Sequence, residues 1–388
     1  RASWGRIGNL GSVGTNYSAA TLSSRNYGLE LPGYGAEAPV FCNQYWYNSK
    51  SINNKLTWET SQQLDLGIDL DMFNDRLNIA VDYYDKLTYN LIQSQTMGWT
   101  GSIGLDAMLV NQGKIRNRGA ELTIGWSDQV GDWSYYVNAN YSFNKNTVED
   151  IGIKDAAGNS GLWVGGGEFG NLRDYYQTCE GGEVNSFYLI ECAGIFQSIE
   201  EIYAHQHNGK LIQPNAQPGD LKFVDYNNDG KIDSGDRQYW GNWMPHSNFA
   251  LSAGFTWKNL SASMMLQGVA GAKAFYPGKL YLVNEANVGF NRSSEILNAW
   301  TPENTNTNIP RLTTQDPNSN FATTSTWYLE DASYVRIKNV TVGYDFTNLL
   351  RKVGHFGERN SRLQVYFSGE NLFTFTKYSG MDPEVNGY

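Results

Sequence analysis

The sequence predicts an all-β protein, specifically part of a transmembrane antiparallel β-barrel with long extracellular loops. Aromatic residues make up 14% of the 388-residue chain, beside 41 Gly and 10 Pro. This composition favours strands and turns over helices. Several segments alternate between apolar and polar residues, which is the period of an extended strand. Short turns also alternate with long connections between the strands, as they do in membrane barrels.

The clearest alternation predicts a hairpin from Gln62 to Leu91. On its first strand the even positions are Leu64, Leu66, Ile68, Leu70 and Met72, and the odd positions include Asp65, Asp69 and Asp71. After the turn Asn74–Arg76 the pattern resumes with Leu77, Ile79, Val81 and Tyr83. One face of each strand is therefore apolar, and the other is polar or acidic.

The same pattern predicts two more hairpins and a final pair of strands. The hairpins turn at 127–132 and at Lys258–Asn259, and the strand pair covers Tyr334–Phe346 and Leu363–Gly369. A change of parity near Lys338–Asn339 predicts a β-bulge, and the connector 347–362 contains a predicted helical turn. With the strand at Ala2–Gly8, the prediction is about nine strands.

Bacterial single-chain barrels have even strand numbers, so we expect this chain to be one part of a larger barrel that has further strands on both sides. Arg1 already precedes a strand pattern, which predicts that the N-terminus is an internal point of a longer protein. A soluble β-sandwich or propeller is the alternative fold, although its strands are usually shorter and its links similar in length. The net charge of -10 argues against a nucleic-acid partner.

Alternate residues of a strand face the same side of the sheet, and this assigns the two faces of the predicted barrel. The lipid-facing side chains are predicted to be Leu66, Ile68, Leu70, Ile79, Val81, Leu122, Val137 and Leu251. Asp69, Thr123 and Asn138 are predicted to face the lumen. Outer-membrane lipid is therefore an expected partner of the strands.

The segment 225–236 matches a calcium-binding loop. Its predicted ligands are Asp225, Asn227, Asp229, the backbone carbonyl of Lys231 and Asp236, at the spacing of the EF-hand loop of about twelve residues. An Asp replaces the usual final Glu, and the flank Leu221–Val224 resembles a strand, so we expect weaker binding and a structural role. The alternative is a metal-free turn rich in Asx residues.

The residues that could take part in catalysis do not form a catalytic motif, so the chain is predicted not to be an enzyme. No HExxH, GxSxG or Walker sequence occurs. Cys179 and Cys192 either form a disulfide or remain two thiols. The aromatic loop residues either bind sugar rings or peptide, or pack within the loops; they are Tyr45, Trp46, Tyr47, Trp163, Tyr175, Tyr176 and Tyr188.

Four motifs resemble those of the SusC/RagA-type TonB-dependent transporters, over nearly the whole chain. They are Asn117–Leu122, Pro218–Arg237 followed by Gly241, Asn242 and Pro245, Leu329–Val340, and Gly369–Thr374 followed by Asp382–Glu384. The resemblance implies that residues 1–388 are the C-terminal part of a barrel of about 22 strands. It also implies that the plug domain and the TonB box lie outside this segment.

The resemblance implies a function in the outer membrane of a Gram-negative cell. The expected activity is TonB-dependent import of oligosaccharides or peptides together with a SusD-like surface lipoprotein, driven through the TonB complex. The alternative is a soluble or cell-surface β-rich carbohydrate-binding protein with a calcium-stabilised loop. The substrate-binding residues are not predicted by any motif.

Overall fold

The structure is a computed structural model that describes most of the chain. The described residues are 1–10, 22–28, 42–48, 53–95, 108–152, 161–162, 166–287, 289–352 and 362–384, with the backbone alone for 22–28, 42–48, 94–95 and 161–162.

Nine strands form one antiparallel sheet in which every strand pairs with its neighbours in chain order. We number them β1 to β9: Ala2–Asn9, Glu59–Met72, Leu77–Tyr89, Lys114–Val130, Trp133–Asp150, Ser247–Trp257, Leu260–Ala270, Tyr334–Asp345 and Gln364–Thr376. This count and this order agree with the prediction from sequence. None of the helices in the described part of the chain is long and apolar enough to cross a membrane.

The register of the sheet confirms that the predicted lipid-facing residues share one face. Ile68 lies opposite Val81, and Val81 lies opposite Leu122 on the next strand. Directly opposed residues point to the same side of a sheet, so parity is carried from strand to strand. Ile68 keeps 62% of its surface exposed. A large exposed apolar face of this kind is typical of a lipid contact and not of a soluble sandwich.

The tight turns lie together at one end of the sheet and carry aromatic side chains. Trp133 stacks on Trp257 with a centroid distance of 5.4 Å, and Phe73 lies 6.2 Å from Trp126. The turn predicted at 127–132 is shorter than expected, because β4 and β5 continue to Val130 and Trp133. Gly131, at a φ of 60°, makes this tight connection possible.

The last two strands contain two irregularities. The predicted bulge is confirmed, because the register between β7 and β8 shifts next to Lys338. A second shift between β8 and β9 follows Glu370, where Asn371 has a φ of 50°. The predicted end of β9 at Gly369 was wrong, because the strand resumes pairing after this irregularity and continues to Thr376.

The long connections carry short elements of their own. Strand pairs join Leu22–Gly28 to Cys42–Asn48 and Ile92–Gln95 to Met108–Asn111. In its described residues, the connection from β5 to β6 contains short strands, the helix α1 (Ile199–Ala204) and the 3-10 turn Ser234–Asp236. The strands are Gly161–Leu162, Glu168–Phe169, Leu172–Arg173, Tyr176–Cys179, Ser186–Ile190, Cys192–Ile195, Gln206–His207, Lys210–Leu211, Leu221–Phe223 and Arg237–Tyr239.

The connection from β7 to β8 adds Lys273–Phe275, helix α2 (Lys279–Leu282), the 3-10 segments Ser294–Asn298 and Thr326–Tyr328, and Leu329–Asp331. A short helix α3, Thr347–Leu350, follows β8 where a helical turn was predicted. We call residues 166–246 and 271–333 the loop unit. Its two segments share one apolar core, in which Leu172, Leu189, Phe275 and Tyr328 are buried.

Candidate functional site

The inner face of the sheet is a polar wall. Asn78 donates to Asp71 at 2.7 Å, and Thr123 donates to Asn140 at 3.0 Å. Asn138 lies opposite Ser252 on β6, on the same side as Thr123. The residues predicted to face the lumen therefore lie on the polar face, as expected. Side chains of this kind can form hydrogen bonds with water or with a polar solute.

Negative charge dominates one part of this wall. Asp82 lies opposite Glu121 on the neighbouring strand, and Asp65 and Asp69 lie on β2 beside them. The guanidinium of Arg1 contacts Asp69 at 2.5 Å and Asp82 at 3.1 Å. Carboxylates directly across from one another repel a negative solute. The described wall is therefore suited to neutral or cationic solutes.

The outer face carries an apolar band with a charged upper edge. On β3 and β4, Asp85 and Arg118 are the next outward residues after Tyr83 and Ala120. Arg118 contacts Asp85 at 2.9 Å, and Arg116 pairs with both Asp85 and Glu149. At about 3.3 Å per residue and a tilt of about 40°, the apolar stretch from Trp133 to Phe143 is roughly 25 Å high. This height matches the lipid-facing band of an outer-membrane barrel.

Two long connections meet in the loop unit, beyond that charged edge. Tyr175 of the first connection stacks on Phe275 of the second, with ring centroids 4.4 Å apart and an interplanar angle of 12°. The Tyr328 hydroxyl donates to the Phe321 carbonyl at 2.8 Å in the same core. The loop unit is thus a packed body and not a set of separate loops.

A buried ion pair joins the same two connections. Asp220 is 0% exposed and accepts from Arg311 Nε at 2.8 Å. Asn320 Nδ2 also donates to Asp220, at 3.0 Å, and Asn320 Oδ1 accepts from the Leu221 amide at 2.8 Å. Sequence reasoning missed this network, because the partners are 91 residues apart and lie in segments without periodicity.

A second ion cluster fixes the segment that follows β9. Arg336 is buried on the inner face of β8, and its guanidinium donates to Asp382 at 2.6 Å and to Glu384 at 2.7 Å. Lys338 also contacts Glu384, at 2.9 Å. These residues lie in two of the motifs that carried the family resemblance, but only the structure places them in contact. These ion pairs hold Asp382 and Glu384, which follow β9, against the inner face of β8.

The three loop aromatics whose side chains the structure describes pack within the loops, which is one of the two alternatives that the sequence left open. Tyr175 is core, and Tyr188 packs on Tyr239 with centroids 4.8 Å apart. Tyr176 packs edge-on against Tyr175, 5.5 Å away. The side chains of Tyr45, Trp46, Tyr47 and Trp163 lie outside the described residues.

Cys179 and Cys192 are both free thiols, so the possible disulfide between them does not form. Burial raises the pKa of the Cys192 thiol to about 11. The thiol therefore stays protonated at neutral pH and is a poor nucleophile.

The predicted calcium loop is folded by its own side chains. Asp225 accepts from the amides of Asp229 at 3.1 Å and Gly230 at 2.7 Å. Asp236 is fully buried and accepts from the Tyr226 amide at 2.9 Å. The sharp turn at Gly230, with a φ of 87°, agrees with the predicted motif.

The remaining predicted ligands lie on the same loop. Asn227 Oδ1 accepts from the Asp229 amide at 2.9 Å, and Asp229 accepts from the Lys231 amide at 3.0 Å. Across the part of the chain that the structure describes, His, Cys, Asp and Glu do not gather in threes at a geometry suited to a metal ion. These carboxylates are bonded to backbone N–H groups.

Comparison with known proteins identifies the family. A family model described as TonB dependent receptor-like, beta-barrel matches residues 1–177. TonB-dependent receptor P3 of Formosa agariphila is 30% identical over 335 residues, which cover 86% of this chain and 31% of that protein. The chain belongs to the TonB-dependent receptor β-barrel family. TonB-dependent receptor SusC of Bacteroides thetaiotaomicron is 27% identical over 339 residues, 87% of this chain and 30% of SusC.

This TonB-dependent receptor segment also resembles solved structures. The RagAB peptide importer in the open-open state superposes with a TM-score of 0.73 at 24% identity, over 100% of this chain and 37% of that chain. The segment therefore spans about a third of the relatives it matches. It is an outer-membrane β-barrel segment, and its relatives are receptors and not enzymes, as predicted.

Acid is expected to loosen the loop unit of this receptor through Glu330, which is largely buried against Lys279 at 2.6 Å. Burial raises the Glu330 pKa, but Lys279 and Ser379 together hold it below its usual range. A depressed carboxyl pKa stabilises the fold above its unfolded value of about 4.3. That contribution is lost as the pH falls through the folded pKa.

Limited proteolysis of the full-length receptor at neutral and acidic pH measures this effect. Glu330→Gln should be cleaved faster than wild type at neutral pH and should show a smaller increase in cleavage on acidification. Glu303→Gln, an exposed residue of the same unit, serves as the control and should behave as wild type. Equal pH dependence in wild type and Glu330→Gln would exclude this role of Glu330.

Proposed function

We propose that the full-length protein imports oligosaccharides or peptides across the outer membrane with energy supplied through TonB. The observation that carries the proposal is the asymmetry of the sheet. One face is apolar, the other is a polar wall, and the packed loop unit lies beyond the end opposite the tight turns. Such a unit forms the entrance of a barrel.

The relatives support the proposal. SusC and the P3 protein are TonB-dependent receptors, and RagAB is a peptide importer. In this proposal residues 1–388 supply the C-terminal part of the barrel, while the plug domain and TonB box lie elsewhere in the protein. A plug that fills the lumen would then control passage along the polar wall.

A SusD-like lipoprotein is the proposed outer partner. The loop unit exposes apolar side chains that its own core does not cover, among them Leu297, Tyr203 and Ile199. Exposed apolar side chains at a barrel entrance suit a protein contact. Co-purification of a surface lipoprotein with the full-length receptor, lost on replacement of these side chains by Ser, would support this partnership.

Energised uptake is the decisive test of the proposed import. Cells that carry the full-length receptor should accumulate a labelled oligosaccharide or peptide, and cells without the receptor or without TonB should not. A protonophore should abolish uptake, because TonB transmits energy from the inner membrane. Uptake that does not depend on TonB would contradict the proposal.

We also propose that the loop 225–236 holds one structural calcium ion. Its donors would be Asp225, Asn227, Asp229, the Lys231 carbonyl and Asp236, which are hard oxygen ligands. The Asp225 oxygens accept one N–H each, and a carboxylate oxygen retains a second lone pair for a cation. The donor set fits calcium, and the ion would supply charge neutralisation and rigidity to the loop.

Removal of calcium is expected to increase proteolysis of the loop unit. Asp225→Ala with Asp229→Ala should have the same effect, while the barrel strands stay folded, since the loop lies outside the sheet. Asp132→Ala, at an exposed turn carboxylate, is the matched control. The motif is a metal-free turn if chelator leaves the cleavage rate unchanged.

A further inference from the structure

A cleft of about 470 Å³ lies within the loop unit, where its two segments meet. The first segment contributes Asn171, and the second contributes Tyr281, Asn284, Asn287, Phe290 and Asp316. Leu280 and Phe321 of the buried core form its base. A mixture of aromatic and amide side chains around a concave surface is typical of a small-molecule site.

Two aromatic rings form one wall of the cleft. Tyr281 and Phe290 have centroids 4.5 Å apart at an interplanar angle of 44°. Phe169 packs edge-on against Tyr281, with ring centroids 5.5 Å apart, and this contact restricts the orientation of the Tyr281 ring. Phe290 nevertheless keeps 53% of its surface exposed. An aromatic ring held in place and left open to solvent can stack against an apolar ligand face.

One amide in the cleft is buried with an unused donor. Asn284 is only 5% exposed, and its Oδ1 accepts from the Ala286 amide at 3.0 Å. This hydrogen bond fixes the orientation of the Asn284 amide, and its Nδ2 group makes no hydrogen bond within the described residues. The N–H group is therefore available to donate to a water or ligand oxygen in the cleft.

The wall is built before any ligand binds. Arg292 donates to the carbonyls of Tyr281 at 3.0 Å, Asn287 at 2.5 Å and Phe290 at 3.2 Å. Its Nε contacts Glu285 at 3.4 Å. Because these donors are committed to the loop, Arg292 positions the wall and does not present its charge to a ligand. Prior ordering lowers the entropy cost of binding.

The charge of the cleft limits its ligand. Asp316 lines the cleft, and the described lining residues include no Lys, Arg or His. Asp316 accepts from the amides of Asn320 at 2.8 Å and Phe321 at 2.9 Å. An anionic ligand would meet this carboxylate without a cation to offset it. The acidic wall of the barrel excludes the same class of solute.

We propose that this cleft binds a pyranose ring of a neutral saccharide. The C–H face of the ring would stack on Phe290 and Tyr281, and its hydroxyls would bond the amides of Asn171, Asn284 and Asn287. Amide side chains both donate and accept, which matches hydroxyl groups. A peptide is less suited, because extended peptides are recognised through a free strand edge and this cleft presents side chains. The biological role of this site rests on the proposed import function, whereas saccharide binding by the cleft does not.

Binding is tested on the purified full-length receptor by isothermal titration. The probes are neutral trisaccharides of glucose, galactose and mannose, together with trigalacturonate and an uncharged hexapeptide. At least one neutral trisaccharide should bind, and Phe290→Ala should weaken it roughly tenfold through the lost ring contact. Asn284→Asp, which removes the free donor, should also weaken binding. Glu303→Gln, at an exposed site outside the cleft, should bind as wild type.

Three results would overturn the proposal. These are no binding of any neutral trisaccharide, equal affinity in wild type and both cleft variants, or hexapeptide binding that is lost in Phe290→Ala. Circular dichroism of each variant separates loss of fold from loss of contact. Uptake by cells with the Phe290→Ala receptor distinguishes the two proposals. TonB-dependent uptake without saccharide binding at the cleft would leave import intact and remove this site.

Discussion

Val137→Arg is expected to destabilise the folded barrel by about 2 to 4 kcal/mol, whereas Asn138→Arg should cost little. The two residues are neighbours on β5, close to the middle of the apolar stretch between Trp133 and Phe143. Val137 lies opposite Trp126 and Ala253 on the lipid face, and Asn138 lies opposite Ser252 on the polar wall. Depth in the membrane is therefore almost the same, and only the face differs.

The measurement is folding of the full-length receptor into lipid vesicles, followed by urea titration of each variant. An Arg at position 137 would place a guanidinium in hydrocarbon, where water and counter-charges are absent. An Arg at position 138 would extend into the aqueous lumen and keep its hydration. Equal destabilisation by both substitutions would contradict the membrane assignment of the two faces.

Arg311→Ala is expected to destabilise the loop unit by about 3 to 5 kcal/mol. The change leaves Asp220, which is fully buried, with an uncompensated charge. The amide contacts from Asn320 and Gln217 remain, at 3.0 Å and 2.8 Å, but neither carries a positive charge. Since the pair joins both segments of the loop unit, its loss should loosen the unit while the sheet stays folded.

Hydrogen exchange of the Leu221–Phe223 amides in the full-length receptor measures this effect. Lys258→Ala is the matched control, because its 3.8 Å contact with Asp132 is exposed and such pairs contribute about 1 kcal/mol or less. Asp220→Asn combined with Arg311→Ala should recover part of the protection by removing the buried charge. Unchanged exchange in Arg311→Ala would show that the pair does not hold the unit together.

Most of the sheet could be predicted from the sequence. Alternation at Leu66, Ile68 and Leu70 placed these side chains on one face, and the observed register agrees. The bulge at Lys338 was visible as a change of parity. The irregularity beyond Glu370 was missed, because Phe367 and Phe373 on either side of it have the same parity. A shift that preserves parity leaves no trace in a period-two pattern.

The loop unit could not be predicted in the same way. Its core pairs Tyr175 with Phe275, and its ion pair joins Asp220 to Arg311, across segments without a regular period. The predicted calcium ligands share one loop because they are close in sequence. The cleft, by contrast, combines Asn171 with Phe290 from two separate segments. Only chain packing could bring such residues together.

The sequence by itself determined the strands, their faces and the membrane class of this receptor segment. It could do so because period-two alternation is a local property: each side chain of a strand takes its face from its immediate neighbours. The tertiary structure alone decided which loops pack together, which aromatic residues are buried and where a ligand finds space. Those outcomes depend on contacts between residues roughly a hundred positions apart, whose formation reflects loop closure and core packing and not local pattern.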